Sequence, residues 1–93
     1  MAERYTDEEL DREILGKLWR RGLFGGRYQP VEQVVSAIPR ELRGRARDRI
    51  TALWRDGLLR RHKNGACVSI DPRRTDAVRQ RLDGYLPDYY LDR

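Results

Sequence analysis

Apolar residues recur along the chain at two different periods, and the changes of period divide it into elements. Leu10, Ile14, Leu15, Leu18 and Trp19 share one face at helical spacing. Just ahead of them, Thr6 and Glu9 stand three apart as a capping box, with Tyr5 and Leu10 in the two hydrophobic-staple positions. Acids crowd the first turn and Lys17, Arg20 and Arg21 the last, which complements the helix dipole, and Gly22 supplies a stop. A first helix is therefore predicted over residues 7 to 21.

Paired glycines, Gly25 and Gly26, break the pattern, so residues 23 to 28 form a packed connection or a very short strand. With neither a Gly-Lys-Ser/Thr run nor a dinucleotide fingerprint around them, they are turn glycines rather than a phosphate loop. Pro30 suits the first position of a second helix, near 30 to 38, with Val31, Val34, Val35 and Ile38 as its apolar stripe. A third helix starts between Pro39 and Gly44 and is predicted over 42 to 56, with Leu42, Ala46, Ile50, Leu53 and Trp54 facing inward. Gly44, Arg47, Asp48, Thr51 and Arg55 face away, Arg43 and Arg45 flank them, and Arg49 lies along the core edge with its stem buried. Glycine costs about 1 kcal/mol relative to alanine within a helix. Gly44 therefore marks either the helix start or a close approach of another backbone.

Beyond Gly57 the period drops to two. Residues 58 to 63 and 66 to 70 flank Asn64-Gly65, the preferred pair for a two-residue type I′ turn. That turn pairs Lys63 with Ala66, Arg61 with Val68 and Leu59 with Ile70 on one face of a hairpin, leaving Arg60, Ser69, His62 and Cys67 on the other. Asp71-Pro72 caps a fourth helix, near 72 to 84, with Val78 and Leu82 inward and Gly84 as its stop. The tail, 85 to 93, carries Tyr85, Leu86, Tyr89, Tyr90 and Leu91, too apolar for solvent; it folds back on the body or meets a second copy.

A chain of 93 residues fits one domain, 1 to 93, and its single cysteine excludes an internal disulfide. No apolar run matches a membrane span or a signal-peptide core, so the expected setting is the cytoplasm, with no membrane partner. Charge is where the composition becomes informative. Residues 39 to 64 hold nine basic and three acidic side chains, whereas the segments before and after them are near balance, so the net +5 arises from one helix and its adjoining strand. Such a localised positive field concentrates polyanions at one face and points to nucleic acid.

The succession of helix, connection, helix, tight turn, helix and hairpin, entered through Leu53-Trp54-Arg55-Asp56-Gly57-Leu58-Leu59, resembles the winged helix-turn-helix domains of small archaeal and bacterial regulators, including the MarR and ArsR groups. Leu53, Gly57, Leu58 and Leu59 carry the resemblance, which covers about residues 8 to 83. It implies an α+β winged helix: a three-helix core with the helix-turn-helix, a two-stranded wing over 58 to 71 and a C-terminal fourth helix. It also implies sequence-specific binding of double-stranded DNA by a small transcriptional regulator, with no cofactor, the third helix entering the major groove. On that pattern Arg43, Arg45, Arg47, Asp48 and Thr51 fall on the recognition helix, and Lys63 and Asn64 at the wing tip. Arg43 and Arg47 are the expected base-contacting residues, assisted by Thr51 and Asp48, while Arg40, Arg55, Arg61, Lys63 and Asn64 meet phosphate. The turn Ile38-Pro39-Arg40-Glu41-Leu42-Arg43-Gly44 departs from the family, which there uses a glycine turn with a Ser or Thr cap. A homodimer through the first or fourth helix and the tail from Tyr85 to Leu91 is the further expected partner, since such modules commonly bind twofold half-sites.

Competing interpretations follow from the same residues. A solvated helix face would explain the arginines, with Glu41 and Arg45 as an i,i+4 pair worth about 0.2 to 0.5 kcal/mol. An RNA or ribosome-associated winged helix, or one that docks an acidic protein, would use the same basic surface. Trp19 and Trp54 read as core anchors, which leaves no evident base-stacking surface. His62 and Cys67 oppose each other across the hairpin, but two ligands make no zinc site, and His62 beside Arg60 and Arg61 is a phosphate donor or a surface residue. One histidine and no serine elbow leave an enzyme little to work with, so none is expected.

Overall fold

The capping box forms as predicted. In the computed structural model, which describes residues 5–91, the Glu9 amide donates to Thr6 Oγ1 and the Thr6 amide to Glu9 Oε1, each at 3.1 Å, opening helix α1, Asp7–Arg20. Its end is a Schellman motif: Leu23 N–H bonds the Leu18 carbonyl and Gly22 N–H the Trp19 carbonyl, with Gly22 at φ +68°. Leu10, Ile14, Leu15, Leu18 and Trp19 are all buried. A turn through Gly25 (φ +59°) and Gly26, closed by Arg27 N–H on the Phe24 carbonyl, then reverses the chain, as turn glycines should.

The sheet has three antiparallel strands, not the two expected. Strand β1, Gln29–Pro30, leads into helix α2, Val31–Val35; β2 is Leu59–His62 and β3 is Cys67–Ile70, in the order β1-β3-β2. Gln29 pairs with Val68 and Pro30 with Cys67, while Phe24 forms an isolated parallel bridge to Ile70. Pro30 thus ends an edge strand and precedes α2 instead of occupying its first turn; an edge position tolerates its missing N–H. The second helix is correspondingly short, and residues 36 to 38, expected within it, form a turn. The hairpin register is the predicted one, with Leu59 opposite Ile70 and Arg61 opposite Val68, but the ladder stops at His62 opposite Cys67. Lys63–Gly65 form a 3₁₀ turn in which Lys63, Asn64 and Gly65 all have positive φ, so the expected Lys63–Ala66 strand pair and two-residue type I′ turn give way to a longer turn.

Helix α3, Arg43–Arg55, is reached through a 3₁₀ turn, Arg40–Leu42, so no Ser or Thr cap is needed where the chain is already turning. Leu42, Ala46, Ile50 and Leu53 are buried. Trp54 is not: at 39% exposure it corrects the expectation of a core anchor. It sits roughly 85° from the centre of the apolar stripe at ~100° per residue, where β2 rather than another helix lies alongside. After Asp71, whose side chain accepts from the Arg73 amide, a 3₁₀ turn, Pro72–Arg74, precedes helix α4, Thr75–Leu82, shorter at both ends than predicted. The tail folds back: Leu86 and Leu91 are buried, helix α5 is Asp88–Leu91, and the Trp19 indole N–H donates to the Tyr90 carbonyl. Residues 92 and 93 of the predicted tail, and 1 to 4 of the predicted domain, lie outside the described residues. The architecture is α+β, with five α-helices and one antiparallel sheet among the described residues, none of the helices long and apolar enough to cross a membrane.

Candidate nucleic-acid interface

Helix α3 is gripped on both flanks by charge pairs, and these decide which of its arginines face solvent unclaimed. On the α1 side, Arg49 meets the buried Asp11 through Nε to Oδ1 at 2.8 Å and Nη2 to Oδ2 at 2.9 Å, and Arg81 of α4 reaches the same Oδ2 at 3.2 Å. Arg49 therefore does more than lie along the core edge: it ties α3 to α1, and those two hydrogen bonds raise its pKa further. Arg45 donates to Asp7 Oδ1 from Nε (3.3 Å) and Nη2 (3.0 Å), so its partner is an α1 carboxylate and not Glu41.

On the other flank, Arg43 turns inward. Its Nε donates to the Ile38 carbonyl and its Nη2 to the Ser36 carbonyl, both at 3.0 Å, satisfying carbonyls left open where α2 ends. Lys17 and Ser36 add donors to the Gln33 carbonyl. These bonds set the approach of α3 without a Ser or Thr cap, and they commit a residue expected to contact bases. One helical turn on, Arg47 makes two parallel bonds to Glu32, Nε to Oε2 at 2.9 Å and Nη2 to Oε1 at 2.7 Å. Hydrogen bonding by Arg47 holds the Glu32 carboxyl below the usual carboxylate range.

Three carboxylates from other elements thus lie on the basic segment and offset half of its surplus of six positive charges. What stays open is a strip along the outer face of α3. Gly44, Asp48 and Arg55 are exposed on it and Thr51 is half-buried. Arg40 ahead of α3 is exposed as well, and the side chains of Arg40 and Arg55 make no ion pair or hydrogen bond among the described residues.

The hairpin joins this strip directly. Arg61 of β2 lays its guanidinium 3.8 Å over the Trp54 ring and brings Nη2 to 3.5 Å from Thr51 Oγ1, the outer edge of hydrogen-bonding distance. A shallow groove runs between them, bordered by Glu32, Arg47, Thr51, Arg61 and Ala66. At the tip, Lys63 and Asn64 are exposed, and Lys63 joins Asn64 at positive φ (+55°). His62 points the other way, stacked on Tyr28 with centroids 4.3 Å apart and 2.9 Å from Ser69 Oγ, which donates to the Gly25 carbonyl. It is a half-buried strand anchor rather than the fully exposed surface residue expected.

Of the predicted contact residues, Arg47, Asp48, Thr51, Arg55 and Arg61 come together on one surface, Lys63 and Asn64 extend it at the tip, Arg40 lies at its start, and Arg43 and Arg45 are occupied elsewhere. Two members of this surface escaped sequence reasoning. Glu32 carries no local signal, since its role depends on a partner across the fold. Trp54 had one, its place at the rim of the helical stripe. Among the described residues no cluster of His, Cys, Asp and Glu could hold a metal ion. No protein-family model, curated protein or solved structure matches the chain.

Proposed function

We propose that the protein is a winged helix that binds double-stranded DNA, laying the outer face of α3 in the major groove and the β2-β3 hairpin on the adjoining backbone, and that it acts as a small regulator by occluding its site. The observation that carries this reading is the contact of Arg61 with Trp54 and Thr51, which makes the hairpin and the outer face of α3 one continuous surface. A helix is about 10 to 12 Å across with its side chains and so fits a major groove about 12 Å wide, and 13 residues give α3 about 20 Å to lie along it. Arg47 and Thr51 stand at the centre as base readers; Arg40, Arg55, Arg61 and Lys63 border them as phosphate contacts. Catalysis and a cofactor have no part in this mechanism.

Trp54 supports a second reading. Arg61 lies over one face of its ring, and the exposed remainder offers a stacking surface for an unpaired base, which a single-stranded DNA or RNA partner would use. Fluorescence anisotropy against a mixed-sequence DNA duplex, the matching RNA duplex and the single strands, each titrated with salt, separates the two. The expected result is preference for duplex DNA, log affinity falling with log salt by about 0.9 per phosphate contact, and weakened binding in Arg47→Ala/Arg55→Ala. Preference for single strands that is lost in Trp54→Ala would establish the second reading. Equal binding to any acidic polymer, a poly-glutamate included, would indicate a protein-docking module and refute both.

A further inference from the structure

The Glu32–Arg47 pair is built unlike a stabilising ion pair. Both partners are open to water, with side-chain exposures of 70% and 45%, and pairs so exposed add little to stability. Yet the geometry is the most constrained available: both carboxylate oxygens take up one edge of the guanidinium, the Nε–Nη2 edge. The carboxylate is itself well placed. Glu32 follows Val31, whose amide is bonded to the Ala66 carbonyl, and precedes Val34 and Val35, which are buried. Its backbone is therefore held between the hairpin and the core.

A guanidinium has five N–H groups. With Nε–H and one Nη2–H given to Glu32, the other Nη2–H and the Nη1 pair remain, and Nη1 donates to nothing among the described residues. The remaining end edge, Nη1 and Nη2, presents two parallel donors, the arrangement that guanine O6 and N7 accept in the major groove. Fixing one edge also fixes the plane of the other. At the same time the carboxylate cancels the charge that would draw Arg47 to any nearby phosphate.

Resting on the proposed DNA-binding reading, we infer that Glu32 is a specificity-determining positioning residue: it holds Arg47 edge-on so that this arginine reads a guanine in the major groove instead of gripping the backbone. Glu32 touches no base in this arrangement and acts through Arg47. Its removal frees Arg47 to swing to phosphate, so sequence discrimination falls while affinity for arbitrary duplex is kept or rises. A latch would behave differently. If Glu32 merely occupied Arg47 in competition with DNA, its removal would raise affinity for every duplex by the same factor and leave discrimination intact.

The test is selection from a randomised duplex library with the intact protein, Glu32→Gln, Arg47→Ala and Arg47→Lys, followed by salt-titrated anisotropy on the preferred duplex and on single-base-pair substitutions of it. The intact protein is expected to require a G·C pair at one position by roughly 5- to 150-fold, the factor that one bidentate arginine–guanine contact carries. All three variants should lose that requirement at the same position. Glu32→Gln alone should keep or increase its affinity for unrelated duplex and show a steeper salt slope, because a negative charge has left the interface. Thermal melting unchanged from the intact protein would show that the variants are folded. Loss of the guanine requirement in Arg47→Ala but not in Glu32→Gln overturns the inference while leaving DNA binding standing, as does a uniform rise in affinity for all duplexes. Absence of duplex binding by the intact protein overturns the DNA-binding reading and the inference with it.

Discussion

Arg49→Met should destabilise the protein by about 3 kcal/mol, a large share of the roughly 5 to 14 kcal/mol expected for 93 residues at ~0.05 to 0.15 kcal/mol per residue. The magnitude follows from which partner is buried. Asp11 has 4% of its side chain exposed and receives two short bonds from Arg49 and one longer bond from Arg81. Losing Arg49 strands a carboxylate that cannot reach water, with one 3.2 Å bond left. Breaking a fully buried pair costs about 3 to 5 kcal/mol, and the surviving Arg81 contact together with the partial exposure of Arg49 places this case at the low end. Asp11→Leu should cost less, since Arg49 and Arg81 are 24% and 41% exposed and can turn toward solvent. The double variant Asp11→Leu/Arg49→Met should recover much of the loss, because no buried charge remains. Urea unfolding followed by far-ultraviolet circular dichroism measures all three, with a lowered midpoint at constant slope expected for Arg49→Met. At ~4 to 8 °C per kcal/mol the melting temperature should fall by roughly 12 to 24 °C. A cost below about 1 kcal/mol, in the range of exposed pairs, or a double variant no more stable than Arg49→Met, would refute the claim that a buried carboxylate joins α1 to α3.

Two glycines should respond in opposite directions to alanine. Gly22→Ala strains the Schellman turn at φ +68° and should cost about 1 kcal/mol, whereas Gly44→Ala meets nothing within 4 Å on the outer face of α3 and should gain up to about 1 kcal/mol, both read from thermal melts. Tyr85 packs against Gly16, and burial, reinforced by Glu13, pushes its phenol up to about 12. Its unfolded counterpart ionises near 10, so the folded state keeps the proton longer and stability should fall as pH rises from about 10 to about 12; Tyr85→Phe should remove that portion of the alkaline loss in pH-dependent melts. Asp71 is held below the usual carboxylate range by the Arg73 side chain and amide, so its contribution is present above the ordinary aspartate pKa and lost as pH falls through the lowered one; Asp71→Asn, which still caps, should flatten the acid limb of the stability profile without changing the fold.

Much of the fold was legible because it rests on neighbours in sequence. The capping box links residues three apart, the Schellman turn residues five apart, and the hairpin register follows from the alternation of residues on either side of Asn64-Gly65, even though the turn itself takes in Lys63 as well. The third strand was not legible: it is two residues long, includes a proline, and exists only because β3 arrives beside it. Trp54 shows the same limit from the other side. Periodicity places it at the edge of the stripe, and whether an edge residue is covered depends on what packs there.

The amino-acid sequence by itself determined where the first and third helices lie to within a residue, most of their apolar faces, and that positive charge gathers on one helix-hairpin unit. It could not determine which of those charges are unclaimed. Arg45 and Arg49 find their carboxylates 38 residues away and Arg47 finds its own 15 residues away, while Arg43 bonds carbonyls of the turn just before it. A guanidinium takes the acceptors that the fold brings within about 3 Å, and only the packing of α1 and α2 against α3 sets that distance. Tertiary structure therefore divided the arginines into those that hold α3 in place and those left at its outer face, with Arg47, paired on one edge and open on the other, between the two.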